Sequence, residues 1–257
     1  LTPLDAAGLV ELARLGKGAV LGAPVYSPDG AFLAAPTAAG VYLYDAGTLE
    51  ELRLIPQMAA FLAFSPGGET LAVSGAGSVR LYDPSTGERA AALSDGPDVV
   101  YWELVFSPDG SLLAASGWNN EIVVWSLADG AVRYRLPGSH LSFSPDGSLA
   151  AVAVSGEDRV VVYDLATGLE RSRWNARRAG FAPGGQLWLE DGQSVRLAYT
   201  DRDLVSAPFQ GTRPAFSPAG DLMALFRDRQ VWLYDPLKGR RVRPLEGVYT
   251  QVDRVLF

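Results

Sequence analysis

Few side chains in this 257-residue sequence are equipped for chemistry. It has no cysteine and a single histidine, His140. Thiol catalysis, disulfides, zinc-finger sites and polyhistidine metal sites are thereby excluded. A Gly-x-Ser-x-Gly elbow is absent, and no serine has a His and an Asp arranged for a triad. The phosphate-binding patterns Gly-x-x-x-x-Gly-Lys-Ser/Thr and Gly-x-Gly-x-x-Gly are also missing. His140 has no second histidine to work with and reads as a structural residue rather than a catalyst. The expectation is therefore a protein that is not an enzyme and holds no cofactor or metal.

What remains suits recognition. Tyr101-Trp102-Glu103 ends the longest predicted loop, and Trp118-Asn119-Asn120-Glu121 follows it. Tyrosine and tryptophan bury much area at little entropy cost, which favours them at protein interfaces. Tyr101, Trp102, Trp118, Asn119 and His140 form the candidate binding patch. Asp158, Arg159 and Arg178 add charge that would steer an acidic or mixed-charge partner. Two plainer readings stand beside this one. Trp102 would lie in a strand and pack into the core, and the charged residues would be a solvated, locally paired surface.

Composition narrows the class. Apolar residues make up 48 % and charged residues 20 %, a globular balance. At this length about 70–75 % of the extended-chain surface is buried, enough for one large domain or two small ones. The net charge of −7 disfavours nucleic-acid backbones as partners. No run approaches the roughly 18–20 apolar residues of a membrane-spanning helix. Lack of cysteine fits either side of a membrane, so a cytoplasmic and an exported protein are both expected possibilities. Only Lys17 and Lys238 are lysines, which together with the many alanines reads as a GC-rich genome rather than an arginine-based binding device. The start at Leu1 without an apolar leader suggests a processed chain or an excerpt.

The elements that must position these residues are set by a repeat. One phrase occurs six times: Tyr-Ser-Pro-Asp-Gly at 26–30, Phe-Ser-Pro-Gly-Gly at 64–68, and Phe-Ser-Pro-Asp-Gly at 106–110 and 143–147. Phe-Ala-Pro-Gly-Gly at 181–185 and Phe-Ser-Pro-Ala-Gly at 216–220 complete the set. The aromatics stand 38, 42, 37, 38 and 35 residues apart. Proline pre-sets φ at the first corner of a turn and the last glycine supplies φ > 0, so each phrase predicts a hairpin. The aromatic should end the first strand inside the core. Small apolar residues follow, as in Leu33-Ala34-Ala35 and Leu71-Ala72-Val73. A third strand then ends on Tyr44-Asp45, Tyr82-Asp83, Trp125-Ser126, Tyr163-Asp164, Tyr199-Thr200 and Tyr234-Asp235. A second turn and a more polar outer strand complete the unit. Four short strands per ~38 residues make a β-propeller blade.

On these residues the whole chain resembles a WD40-repeat propeller, of a diverged bacterial kind. The family's Gly-His dipeptide is absent, with Ser139-His140 its only echo, and Trp-Asp is mostly Tyr-Asp. The hydrogen-bond network that this implies in the family cannot form in most blades, so apolar packing must carry stability. Blade five is the weakest copy, with a bulge or irregularity expected around Val195–Tyr199.

The expected fold is all-β, a propeller of four-stranded antiparallel blades. Six repeats would be complete, and an incomplete seventh blade would be shared between the N- and C-terminal strands. Thr2-Pro3 predicts a short helical turn, Val10–Leu15 an outer strand, and 251–257 an innermost strand ending on Phe257, 41 residues after Phe216. Residues 1–257 then read as one propeller domain cut from a longer chain.

The resemblance implies a scaffold that presents loops to a protein partner. It also implies an alternative, an extracytoplasmic propeller enzyme or substrate gate similar to lactonases, quinoprotein dehydrogenases or peptidase propellers, and a third reading as a sensor domain of a larger protein.

Overall fold

The computed structural model describes residues 17–75, 77–94, 96, 99–154, 156–199 and 204–245. Among them there is no helix, and every strand runs antiparallel to its sheet neighbours. The chain divides into two compact units, Glu11–Leu141 and Ser142–Phe257 with Leu1–Val10.

The first unit holds three sheets. The first sheet is β1 (Val25–Tyr26), β2 (Phe32–Thr37), β3 (Gly40–Asp45) and β4 (Glu51–Ile55). Next come β5 (Leu62–Phe64), β6 (Leu71–Gly75), β7 (Ser78–Tyr82) and β8 (Arg89–Ser94). The third is β9 (Tyr101–Phe106), β10 (Leu112–Gly117), β11 (Glu121–Ser126) and β12 (Val132–Pro137). A fourth sheet opens on β13 (His140–Phe143), whose first two residues close the first unit. It continues in the second unit with β14 (Leu149–Val154), β15 (Arg159–Asp164) and β16 (Glu170–Asn175). The fifth is β17 (Arg178–Phe181), β18 (Leu187–Glu190), β19 (Ser194–Tyr199), β20 (Leu204–Val205) and β21 (Phe209–Gln210). The sixth is β22 (Thr212–Phe216), β23 (Met223–Arg227), β24 (Gln230–Asp235) and β25 (Arg240–Pro244).

Strand order within each of the six described sheets follows the chain, which is consistent with the blades of a β-propeller. The expected seventh blade, with its helical turn and its strands at 10–15 and 251–257, lies outside the described residues.

Each Ser-Pro-Asp-Gly phrase makes the predicted turn. In the third sheet the Ser107 N–H donates to Leu112 O at 3.0 Å, and the Leu112 N–H donates to Ser107 Oγ at 2.9 Å. Gly110 closes the corner at φ 71°. The Ser107 hydroxyl donates in turn to Asp109 Oδ1 at 2.6 Å, so it both accepts and donates. Ser27 and Ser144 repeat this arrangement, and at Ser217 the carboxylate is supplied by Asp221, since Ala219 cannot. These serines are buried.

The third strands end in a second capped turn. Asp45, Asp83 and Asp164 accept backbone N–H bonds from the residues two and three positions on. In the fifth sheet Thr200 follows Tyr199 in the sequence, and that turn lies outside the described residues.

Packing between sheets is apolar. In the first unit, Ala72, Val79, Leu81 and Leu93 meet Tyr101, Leu113, Val123 and Trp125. In the second, Ala151, Val160 and Val162 meet Leu187, Leu189 and Ala198. Each fully buried Val or Leu contributes about 1.5–3 kcal/mol relative to exposure. Trp125 is fully buried and meets the Tyr101 ring edge-on at 5.5 Å, yet its indole N–H has no hydrogen-bond partner among the described residues. The family-type polar network is thus missing at the Trp125 indole, and packing holds it.

The second or third residue of each second strand shows how tight this packing is. It is alanine in five sheets (Ala34, Ala72, Ala114, Ala150, Ala224) and buried to 1 % exposure or less. In the fifth it is Trp188, directly across from Gly180. A Cβ on Gly180 would stand 2.8 Å from the Trp188 ring, so glycine makes room for the indole.

Two expectations are corrected. Tyr26 is 61 % exposed rather than in the core: β1 pairs over only two residues and no described neighbour covers the ring. Val195–Tyr199 carries no bulge against β18; it pairs without interruption from Leu187↔Ala198 to Glu190↔Val195. The irregularity is instead in the outer strand, split into β20 and β21, with Ser206 bonded to Leu197 between them. Pro208, which has no N–H to donate, stands in the gap.

The other five outer strands each hold one extra residue opposite the third-strand aromatic. The unpaired positions are Leu52, Ala90, Arg133, Arg171 and Val242, all exposed. These are β-bulges.

Two outcomes follow. Gly180→Ala should lower stability by about 1–3 kcal/mol through overpacking, and adding Trp188→Ala should remove most of that penalty; a denaturant double-mutant cycle with zero coupling would contradict the packing.

The second concerns acid. The Ser107 hydroxyl, then Ser111, holds the Asp109 carboxyl below the ordinary carboxylate value, and Ser144 does the same to Asp146. Their folded forms bind fewer protons than the unfolded chain near and below pH about 4. Their contribution is complete above that pH and lost as pH falls through the depressed folded values. Melting temperature should fall from pH 5 to pH 2.5, with a shallower fall in Asp109→Asn/Asp146→Asn.

Candidate functional site

The predicted patch separates into two groups, one in each unit. Tyr101, Trp102, Trp118, Asn119 and His140 belong to the first unit, and Asp158, Arg159 and Arg178 to the second.

In the first group Tyr101 does not belong to a surface. Strand alternation turns it into the packing between the second and third sheets, where it is 1 % exposed. Trp102 lies in strand β9, as its plainer reading held, and is half-buried. Its ring meets the His140 imidazole edge-on at 4.7 Å. His140 Nδ1 is 3.4 Å from Glu103 Oε1, and the other carboxylate oxygen of Glu103 accepts from Ser116 Oγ at 3.0 Å. Glu103 thus ties β9, β10 and the start of β13 together, a part that the sequence reading did not assign to it.

Trp118 sits at the opposite extreme, 76 % exposed at the turn between β10 and β11. The turn is well defined. Asn120 takes φ 57°, which asparagine tolerates, and Asn119 Oδ1 accepts from the Glu121 N–H at 3.3 Å. The Trp118 backbone N–H donates to Val100 O at 3.2 Å, which holds the Trp118 backbone beside the loop leading into β9.

That loop borders a groove which sequence reading missed. Leu21, Met58, Phe61, Val100 and Tyr101 line about 380 Å³ at the end of the sheets where second and third strands join. Met58 and Val100 are 65 % and 52 % exposed. A Cβ on Gly22 would collide with the carbonyl oxygen of Ala60, so only glycine lets these two loops approach so closely. The signal in the sequence was apolar residues, Met58-Ala59-Ala60-Phe61 and Val99-Val100, at loop positions where polar ones are the norm.

In the second group the residues do not act together. Asp158 pairs with Arg177 at 3.1 Å, and Arg159 pairs with Glu157 at 2.7 Å. Arg178 is exposed. Asp158 and Arg177 share a small charged depression with Asp191 and Arg196, which stand 3.8 Å apart. The backbone N–H of Gln193 holds the Asp191 carboxyl below its ordinary value. These are exposed, locally neutralised pairs, each worth about 0–1 kcal/mol. Among the described residues no three His, Asp or Glu side chains gather as a metal site would need. No helix among them is long and apolar enough to cross a membrane.

Glu103→Ala would leave Ser116 Oγ and His140 Nδ1 without their carboxylate, at about 1–3 kcal/mol of stability. Glu103→Gln still accepts from Ser116 and should cost less. Chemical denaturation of both variants checks the order.

In comparison with known proteins, the family model "WD domain, G-beta repeat" matches residues 94–126. Those residues run from the last residue of β8 through β9 and β10 to the end of β11. No curated protein matches the chain in sequence. The match at residues 94–126 is to a WD40 repeat, and the repeated four-stranded sheets on either side are consistent with a WD40-like propeller.

Proposed function

We propose that the chain is a non-enzymatic protein-interaction module whose partner docks on the loop end of the first unit. WD40 repeats and a propeller-like arrangement suggest such a role. One observation carries the placement. Six large apolar side chains are exposed at that end: Val20, Leu21, Met58, Phe61, Val100 and Trp118. Exposed large apolar residues elsewhere among the described residues are scattered, and two of them, Leu52 and Val242, are bulge positions. A contiguous apolar patch on a soluble-type surface marks an interaction site.

The sheets below supply rigidity. Trp118 and Val100 stand on β9 and β10, whose bases are locked into the apolar packing around Trp125. Loops carried on such a base keep their shape when a partner binds, which limits the entropy cost of association. The absence of nucleophile, triad and phosphate-loop patterns in the sequence supports a binding rather than a catalytic role.

The test compares tagged wild-type chain with Trp118→Ala in capture from lysate of the source organism. Trp118→Ala should weaken the captured partner by about 2 kcal/mol or more, as hot-spot tryptophans do. Its own stability should move by no more than about 0.5 kcal/mol, because the indole is exposed. Equal capture by both proteins would contradict the reading.

A further inference from the structure

The outer strands differ in how their cations are answered. In β12, Arg135 pairs with Glu121 at 3.1 Å, and in β16 Arg173 is held by both carboxylate oxygens of Glu170 at 2.6 Å. The outer strand of the sixth sheet, β25, brings no acid of its own. It reads Arg240-Arg241-Val242-Arg243-Pro244, is exposed at every position, and follows Lys238 by one residue. Asp235 answers part of this row, 3.3 Å from Lys238 Nζ and 3.8 Å from Arg240 Nε. Arg241 and Arg243 pair with no carboxylate among the described residues. The sheet's other described acids are engaged elsewhere, Asp228 by Arg227 at 2.8 Å and Asp221 by the Ser217 hydroxyl at 2.6 Å.

We propose that β25 and the turn before it dock a short, extended partner-protein segment rich in aspartate or glutamate. This surface belongs to the second unit and does not rest on the reading given for Trp118. Arg241 is pre-positioned for the task, with its guanidinium carbon 4.5 Å from the centre of the Trp232 ring. A guanidinium held over a ring face keeps its planar N–H fork free, and that fork matches a carboxylate in two parallel bonds. From Arg240 to Arg243 is about 10 Å of extended chain, so carboxylates two or three residues apart on an extended segment reach the row. The bulge at Val242 interrupts the ladder, which leaves recognition to side chains rather than to added backbone pairing.

Carboxylates suit this row better than a phosphate backbone does. It holds four cations in a chain of net charge −7. A short acidic segment feels the local attraction, whereas a long polyanion also meets repulsion from the rest of the molecule.

The test uses the full chain at about 50 mM NaCl and three fluorescein-labelled probes read by anisotropy: a 12-residue peptide of alternating Ser and Glu, one of alternating Ser and Lys, and a 12-nucleotide thymidine strand. The Ser–Glu peptide should bind at least about tenfold more tightly than either other probe. Arg241→Glu/Arg243→Glu should weaken it by about tenfold or more. Arg241→Lys/Arg243→Lys keeps the charge but loses the fork, and should weaken it about threefold. Arg133→Glu, at an exposed bulge position of the other unit, and Trp118→Ala should each change it by less than about twofold. Raising NaCl to about 500 mM should weaken binding several-fold through screening.

Equal binding of the Ser–Lys peptide, or binding that ignores salt, would overturn the charge argument. Equal or tighter binding of the thymidine strand would overturn the carboxylate assignment in favour of phosphate. Unchanged binding in both arginine variants, or a tenfold loss in Trp118→Ala, would overturn the placement on β25. A Ser–Glu peptide that fails to bind overturns the proposal whatever Trp118-dependent capture from lysate shows, and that capture alone decides the loop-end reading.

Discussion

Space between facing sheets is the constraint on which the rest depends. Where two sheets meet across their central strands, a position that admits a methyl group does not admit a larger side chain without a matching concession. Ala34, Ala72, Ala114, Ala150 and Ala224 take the methyl solution. The fifth sheet takes the other, with an indole at Trp188 and no side chain at all on Gly180 opposite. Interiors packed to this density leave little tolerance for volume changes. The alanine-rich second strands are the form that tolerance takes here, and a WD40-like blade persists without the polar network expected around its tryptophan.

Much of the fold was legible because turn chemistry is local. Proline, aspartate and glycine act on their own backbone, so a five-residue phrase carries its meaning wherever it occurs. What was missed depended on residues far apart in the chain. The burial of Tyr101 is decided by the second sheet packed against it, and the exposure of Tyr26 by what fails to cover a two-residue strand. The role of the buried serine hydroxyls could have been read, since Ser recurs in five of the six phrases. Its proton donation to aspartate needed coordinates. In the fifth sheet a proline at 208 and a serine at 206 decide that the outer strand breaks, whereas the irregular spelling before Tyr199 attracted attention one strand too early.

The candidate site shows the same division. Trp118 and Asn119 were identifiable as departures from a repeat on a loop, and the structure leaves both exposed. Trp102 and His140 were named together and do meet, edge to ring, while the Glu103 carboxylate beside the imidazole gives His140 a structural role. Asp158, Arg159 and Arg178 were grouped by sequence proximity and charge, while their ion-pair partners proved to be Arg177 and Glu157 where pairs exist. The groove at Met58 and Val100 escaped because no single residue in it is unusual. It exists only when three loops are brought to one end of their sheets.

The extra residue in five outer strands has a further effect. A regular terminal strand offers an uninterrupted row of donors and acceptors to any other chain it meets. An inserted residue opposite Tyr44, Tyr82, Trp125, Tyr163 or Tyr234 breaks that row at the same height each time, and at two of the five insertions an arginine stands there. A molecule that carries so many rims of this kind thereby denies a neighbour any long matching template for strand addition.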